Sequence, residues 1–202
     1  MLGRMTLHAT SRPTATPGRS GEILDVAERL VQTRGFNAFS YADIAAELGI
    51  SKPALHYHYP SKEALGDALI ARYSERFFGA LDAIHATEQD AGARLAGYVA
   101  LYRGVLSANR MCLCGMLAAE YQTLPSGMRA AVVEFFGRNE SWLEAVLRQG
   151  VARHELAGAE PLNEAARLVI DTLEGAMMIS RAHDDPERFD RAASRLLASV
   201  AA

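Results

Sequence analysis

Lys52, His56, Tyr57 and His58 fall within a single seven-residue stretch, followed closely by Lys62. A cation, two donor rings and a phenol in so short a span are the equipment for phosphate contacts and for hydrogen bonds to base edges in a DNA major groove. At helical spacing Leu55 and Tyr59 share one face, whereas Lys52 with His56, and Pro53 with Tyr57, form adjacent stripes pointing elsewhere. One side of the segment is core, and the other is free to read.

The neighbouring residues are those needed to hold such a helix. Ser40 is a helix N-cap with Asp43 in the capping-box position, so a short helix is expected from Tyr41 to about Leu48. Gly49 stops it by taking a left-handed conformation. Ser51 caps the second helix, whose first turn tolerates Pro53 because backbone N–H groups there lack intrahelical partners. Pro60 blocks continuation, and Ser61 caps a third helix opening with Lys62 and Glu63.

The stretch Ser40, Ile44-Ala45, Leu48-Gly49-Ile50, Ser51, Leu55-His56-Tyr57-His58-Tyr59 and Lys62 resembles the helix-turn-helix of the TetR family of bacterial transcriptional regulators, from about Ser20 to Leu69 without a gap. His56 stands where that family usually has Tyr. The resemblance implies an all-α fold of about nine helices: a three-helix head binding double-stranded operator DNA, on a six-helix body that binds a small ligand and forms a homodimer. The DNA-binding set expected from it is Arg19, Ser40, Tyr41, Ser51, Lys52, Pro53, Ala54, His56, Tyr57, His58 and Lys62.

Composition fits a globular protein of this kind. The 202 residues are 50% hydrophobic, enough to bury a core. No run of apolar residues is long enough to span a membrane and no secretory signal is evident, so a cytoplasmic, membrane-free protein is expected. Residues 1–62 carry a net charge of +2 and residues 63–202 a net charge of −5, a basic end on an acidic body. Both lysines, Lys52 and Lys62, lie in the candidate reading unit.

Residues 1–18 hold Arg4 and Arg12 and no acidic side chain, and are expected to be a disordered basic arm before a DNA-binding domain at 19–66 and a ligand-binding and dimerisation domain at 67–202. Ile23, Leu24, Ala27, Leu30 and Val31 predict a first helix ending at Arg34-Gly35. Phe36 and Phe39 are expected to plug the small head core. A long fourth helix from Lys62 to about Thr87 should link head and body. Further helices are predicted to about Ala108, through Met116 to Tyr121, from near Met128 to about His154, from Leu162 to about Ala182, and from Glu187 to about Val200.

Catalytic motifs are missing: there is no Gly-rich phosphate loop, HExxH or GxSxG, and no His/Cys/Asp set at metal-ligand spacing, so neither an enzyme nor a bound cofactor or metal is expected. Cys112 and Cys114 admit two readings. One is an electrophile or oxidant sensor with Arg110 stabilising a thiolate, and the other, preferred, is a pair of small apolar core residues. Body aromatics and methionines are core by default, but the TetR resemblance implies a pocket beside the fourth helix, with Tyr73, Phe77, Tyr98, Tyr102, Met116, Tyr121, Trp142 and Met178 as candidates for a small, largely apolar ligand. Leu162, Ala166, Leu173, Ala176, Leu196 and Val200 are the candidate dimer surface. The leading expectation is a repressor released from a palindromic operator by a ligand. The alternatives are a DNA-bound structural or protein-interaction factor without an inducer, and the cysteine sensor.

Overall fold

The computed structural model describes residues 18–157 and 161–200, so nearly all of the arm expected at residues 1–18 lies outside the described residues. The described residues form nine α-helices and no strand: α1 (Arg19–Arg34), α2 (Tyr41–Leu48), α3 (Lys52–His58), α4 (Lys62–Thr87), α5 (Ala91–Ser107), α6 (Leu113–Ala119), α7 (Ser126–Ala152), α8 (Leu162–Ala182) and α9 (Pro186–Val200). A 3-10 turn, Tyr121–Thr123, joins α6 to α7.

The head assembles because each short helix has one fully apolar edge. Ile23, Ala27, Leu30 and Val31 of α1, Ile44 of α2, Leu55 of α3 and Leu65 of α4 are buried together, with Phe36 and Phe39 closing the core from the α1–α2 connection. Gly49 ends α2 at φ 62°, a conformation costly for any residue with a Cβ, and directs Ile50 N–H to the carbonyl of Ala45 at 3.0 Å. Ser51 and Ser61 accept from the amides of Ala54 and Ala64, at 3.3 and 3.0 Å, so α3 and α4 each begin on a side-chain cap.

The α4 helix spans both regions. Leu65 and Leu69 belong to the head core, whereas Tyr73 and Leu81 are buried in the body. There Phe77 meets Phe135 of α7 edge-to-face at 5.1 Å and lies against Tyr98 and Tyr102 of α5. The α8 helix packs between α7 and α9, and α9 also covers α5.

The sixth helix is shorter than expected, ending at Ala119 instead of running to Tyr121. The cause is Glu120, which leaves the helix to accept backbone N–H groups from the α1–α2 connection, at 2.6 Å from Phe36 and 3.2 Å from Asn37. Gly35 makes room for it: its φ is 98°, and a Cβ there would lie 2.8 Å from a Glu120 carboxylate oxygen.

Candidate functional site

The outward surface of α3 is the part of the head with the fewest internal duties. Lys52, Pro53, Ala54, His56 and Tyr57 are exposed, Tyr57 at 85%, while Leu55 on the opposite edge is fully buried. An exposed phenol at that level has no packing role in its own chain. The ring of His56 leans on Tyr41 at 4.7 Å between centroids, and its Nδ1–H donates to the carbonyl of Pro60 at 3.2 Å. That bond leaves Nε2 facing outward, as an acceptor in the neutral ring and a donor in the imidazolium. His58 is half-buried and sits edge-on to Tyr57 at 5.4 Å.

Other residues of the expected DNA-binding set are occupied within the head. The Tyr41 hydroxyl is directed inward to the carbonyls of Tyr59 and Ser61, at 2.9 and 2.6 Å, and burial raises its pKa to about 12. Tyr41 is thus a clasp holding α2 to the α3–α4 junction, and it does not present its hydroxyl outward. Lys62 is also turned in: its ammonium donates to the carbonyl of Phe39 and lies 4.3 and 4.7 Å from the ring centres of Phe39 and Phe36. Burial lowers its pKa despite Glu120 and Asp43 nearby. Ser40 gives its N–H and its hydroxyl to Asp43 at 2.7 Å, hydrogen bonds that hold the Asp43 carboxyl below the usual range. Arg19, at the start of α1, pairs with Glu22 at 2.6 Å and remains half exposed.

In the body, a cavity of about 160 Å³ opens between α4, α5 and α8. Of the ligand candidates, Tyr73, Phe77 and Tyr102 line it, together with Arg76, Val105 and Met177, which were not among them. The remaining ligand candidates lie elsewhere. Tyr98 is sealed in a hydrogen-bond chain, donating to Asn139 at 3.0 Å and meeting the Tyr102 hydroxyl at 3.2 Å. Trp142 stacks on Tyr98 at 5.7 Å and faces a separate groove by His85, and Met178 faces a second cavity between α6, α7 and α8. Met116 is half-buried against the core, and Tyr121 sits in the 3-10 turn with Arg129 over its ring.

That second cavity is lined by Glu174, whose carboxyl burial pushes up to about 7, with Cys112 and Tyr102 opposing through hydrogen bonding. Glu174 follows the buried position Ile170 by four residues, a spacing that marks it as facing inward. Cys112 and Cys114 are both interior, and burial beside Glu174 drives both thiols well above their ordinary range. Their geometry is that of core residues: Cys112 Sγ accepts from Gly115 N–H at 3.4 Å and from the Tyr73 hydroxyl at 3.7 Å.

Most of the expected dimer surface is interior to its own chain. Ala166, Leu173, Leu196 and Val200 pack into the α7–α8–α9 core, and Leu162 and Ala176 are half-buried, because the inward stripe of α8 and α9 is the one that closes the body. The apolar side chains that α8 leaves outside are Leu168, Met178 and Ile179.

Residues 23–69 match the family described as "Bacterial regulatory proteins, tetR family", and residues 91–196 match "Tetracyclin repressor-like, C-terminal domain". The chain belongs to the TetR family. A TetR-family transcriptional regulator from Agrobacterium tumefaciens superposes with a TM-score of 0.88 at 30% identity, over 91% of this chain and 97% of that one. The nucleoid occlusion factor SlmA of Marinomonas sp. (strain MWYL1) is 27% identical over 161 residues, 78% of this chain and 80% of its own. The HTH-type transcriptional repressor KstR2 of Rhodococcus jostii (strain RHA1) is 36% identical over 87 residues, 42% of this chain and 43% of its own. The matched N-terminal span, from within α1 to the start of α4, is the helix-turn-helix unit, and the protein is a DNA-binding transcriptional regulator. No helix among the described residues is long and apolar enough to cross a membrane.

Proposed function

We propose that the protein is a cytoplasmic repressor, a dimer of two chains whose α3 helices enter successive major grooves of a palindromic operator and leave it when a small molecule occupies the body. Residues 19–66 act as the DNA-binding unit and residues 67–202 as the ligand-binding and dimerisation unit. The observation carrying this reading is the outer face of α3, where Lys52, His56 and Tyr57 are held outward by a fully buried Leu55. Its contacts divide by chemistry, with Lys52 toward phosphate and His56 and Tyr57 toward base edges. No chemical step belongs to this function.

Dimerisation through the outer face of α8, around Leu168 and Ile179, would set the two reading helices about 34–36 Å apart on the operator. The cavities beside α4 and α8 supply the second site that regulation requires. A ligand there releases DNA only by favouring a state in which the α3 pair is misplaced. The test is selection of binding sites from random duplexes by the purified protein. Two-fold symmetric sequences with half-sites about 10 bp apart, lost on Tyr57→Ala with the fold intact, support the proposal. Asymmetric sites, or full affinity in Tyr57→Ala, refute it.

A second reading, a DNA-bound factor acting without an inducer, is favoured by one observation: relatives matching four-fifths of their own length are named nucleoid occlusion factors. The lined body cavities weigh against it.

A further inference from the structure

We propose that the cavity between α6, α7 and α8 is an amine subsite, in which the Glu174 carboxylate receives the ammonium group of a primary or secondary amine whose apolar part lies against Ala118, Phe136 and Met178. The inference rests on the reading of the body as ligand-binding and names the chemistry of what it binds. The cavity measures about 330 Å³, at the lower end of the range of about 300–1,000 Å³ for small-molecule sites.

The carrying observation is the state of Glu174. Its Oε1 is shut off from solvent and has no hydrogen-bond partner among the described residues; the only donors beside the carboxyl are the neutral Cys112 thiol and Tyr102 hydroxyl, and no lysine, arginine or histidine among the described residues forms a salt bridge with it. A half-buried carboxylate with one oxygen sealed and unbonded is costly, and an N–H donor carrying positive charge relieves both its desolvation and its missing bond. The backbone is shaped around this group. Gly115 of α6 lines the same cavity, and a Cβ at that position would collide with the Glu174 carboxylate. Any larger residue at 115 would displace the acid from where it stands.

The surrounding charges exclude the opposite ligand class. The titratable groups that act on Glu174 or line its cavity are neutral or acidic: Tyr73 from α4, Tyr98 and Tyr102 from α5, Cys112 and Cys114 ahead of and within α6, Glu140 from α7, and Asp171 on its own helix. Glu140 is already paired with Arg167 at 3.4 Å, whereas Asp171 at the cavity rim makes no ion pair among the described residues. A carboxylate or phosphate ligand would meet like charge, and a neutral one would leave the acid uncompensated. Because burial holds the Glu174 carboxyl near 7, an arriving ammonium also displaces its proton at neutral pH.

The test uses the full chain and two isosteric probes, 4-phenylbutylamine and 4-phenyl-1-butanol, in calorimetry run in two buffers of different ionisation enthalpy. The amine should bind about tenfold or more tightly than the alcohol, as expected for a charge-assisted hydrogen bond, and should release a fraction of a proton. Glu174→Gln should erase both the preference and the proton release, and Gly115→Ala should weaken the amine alone. Equal binding of the two probes, or a preference surviving in Glu174→Gln, overturns the proposal. The first needs no variant and so decides even where a substitution unfolds the chain. Dissociation of a dimer by Glu174→Gln with the preference intact also overturns it, assigning the acid to the subunit contact. Amine binding through Glu174 that leaves DNA affinity unchanged, measured by anisotropy, sustains the subsite and refutes regulation through it.

Discussion

Replacing Glu120 by Ala tests how firmly the body grips the head. Its carboxylate holds the Phe36 amide at 2.6 Å and the Asn37 amide at 3.2 Å, across more than eighty residues of chain. Hydrogen bonds to a charged acceptor contribute about 1.5–3 kcal/mol each, but the Asn37 amide is exposed and water can replace most of its share. The expected loss is therefore about 2–3 kcal/mol, nearly all from Phe36. For a chain of this size that corresponds to a fall of about 4–12 °C in the thermal midpoint, compared at fixed protein concentration because a dimer's midpoint depends on it. Glu120→Gln, which keeps one acceptor oxygen without the charge, should lose about half as much. Hydrogen exchange localises the effect: the Phe36 amide should lose protection in Glu120→Ala while the buried turns of α1 around Ile23 and Leu30 keep theirs. A midpoint within about 2 °C of wild type, with Phe36 protection unchanged, would refute the assignment of this carboxylate as the tie.

Four further outcomes are expected. Tyr57→Ala should reduce DNA affinity by about tenfold or more while moving the thermal midpoint by less than about 2 °C, since an exposed side chain contributes little to stability. Lys62→Met should leave the logarithmic salt slope of DNA binding unchanged; a slope smaller by about 0.9 would restore Lys62 to the phosphate contacts. Native Cys112 and Cys114 should resist alkylation at neutral pH and react on unfolding, with the protein staying on DNA under mild peroxide; rapid native labelling would revive the sensor reading. Glu174 has a folded pKa raised from 4.5 to about 7, so its contribution to stability is full below 4.5 and is lost as pH rises through about 7. Denaturant titrations across that window should show a decline of at most about 3 kcal/mol that Glu174→Gln abolishes.

Local rules made the head legible in advance. Caps at Ser40, Ser51 and Ser61, the stop at Gly49 and the apolar spacing of α1 are decided within a turn or two of chain, and the helices begin and end where those residues require. Side-chain direction was less accessible. Lys62 and Tyr41 stand in a DNA-reading motif, but their polar ends are claimed by carbonyls of Phe39, Tyr59 and Ser61, which only the assembled head brings within reach. In α8 and α9 the apolar stripe was visible, yet spacing cannot say whether a stripe faces its own chain or another. Ala166 and Leu196 face their own. Glu174 carried a readable signal, an acid four residues after Ile170 on the inward side of α8.

The ties between head and body bear on how such proteins can be recombined. Besides Glu120, Arg181 near the end of α8 donates to the carbonyls of Gln32 and Thr33 at the end of α1, and Met111 N–H also donates to Gln32 at 3.1 Å. On the α4 side, Arg72 and Arg76 both grip the buried Glu28 of α1. A hybrid regulator spliced after residue 66, with a foreign reading head grafted on this body, would strand Glu120, Arg181 and both arginines opposite residues never matched to them. The transferable unit is instead the short span from Ser51 to His58, whose outward residues make few such bonds. DNA preference can be rewritten there one side chain at a time while the ties from α1 to the body are inherited whole.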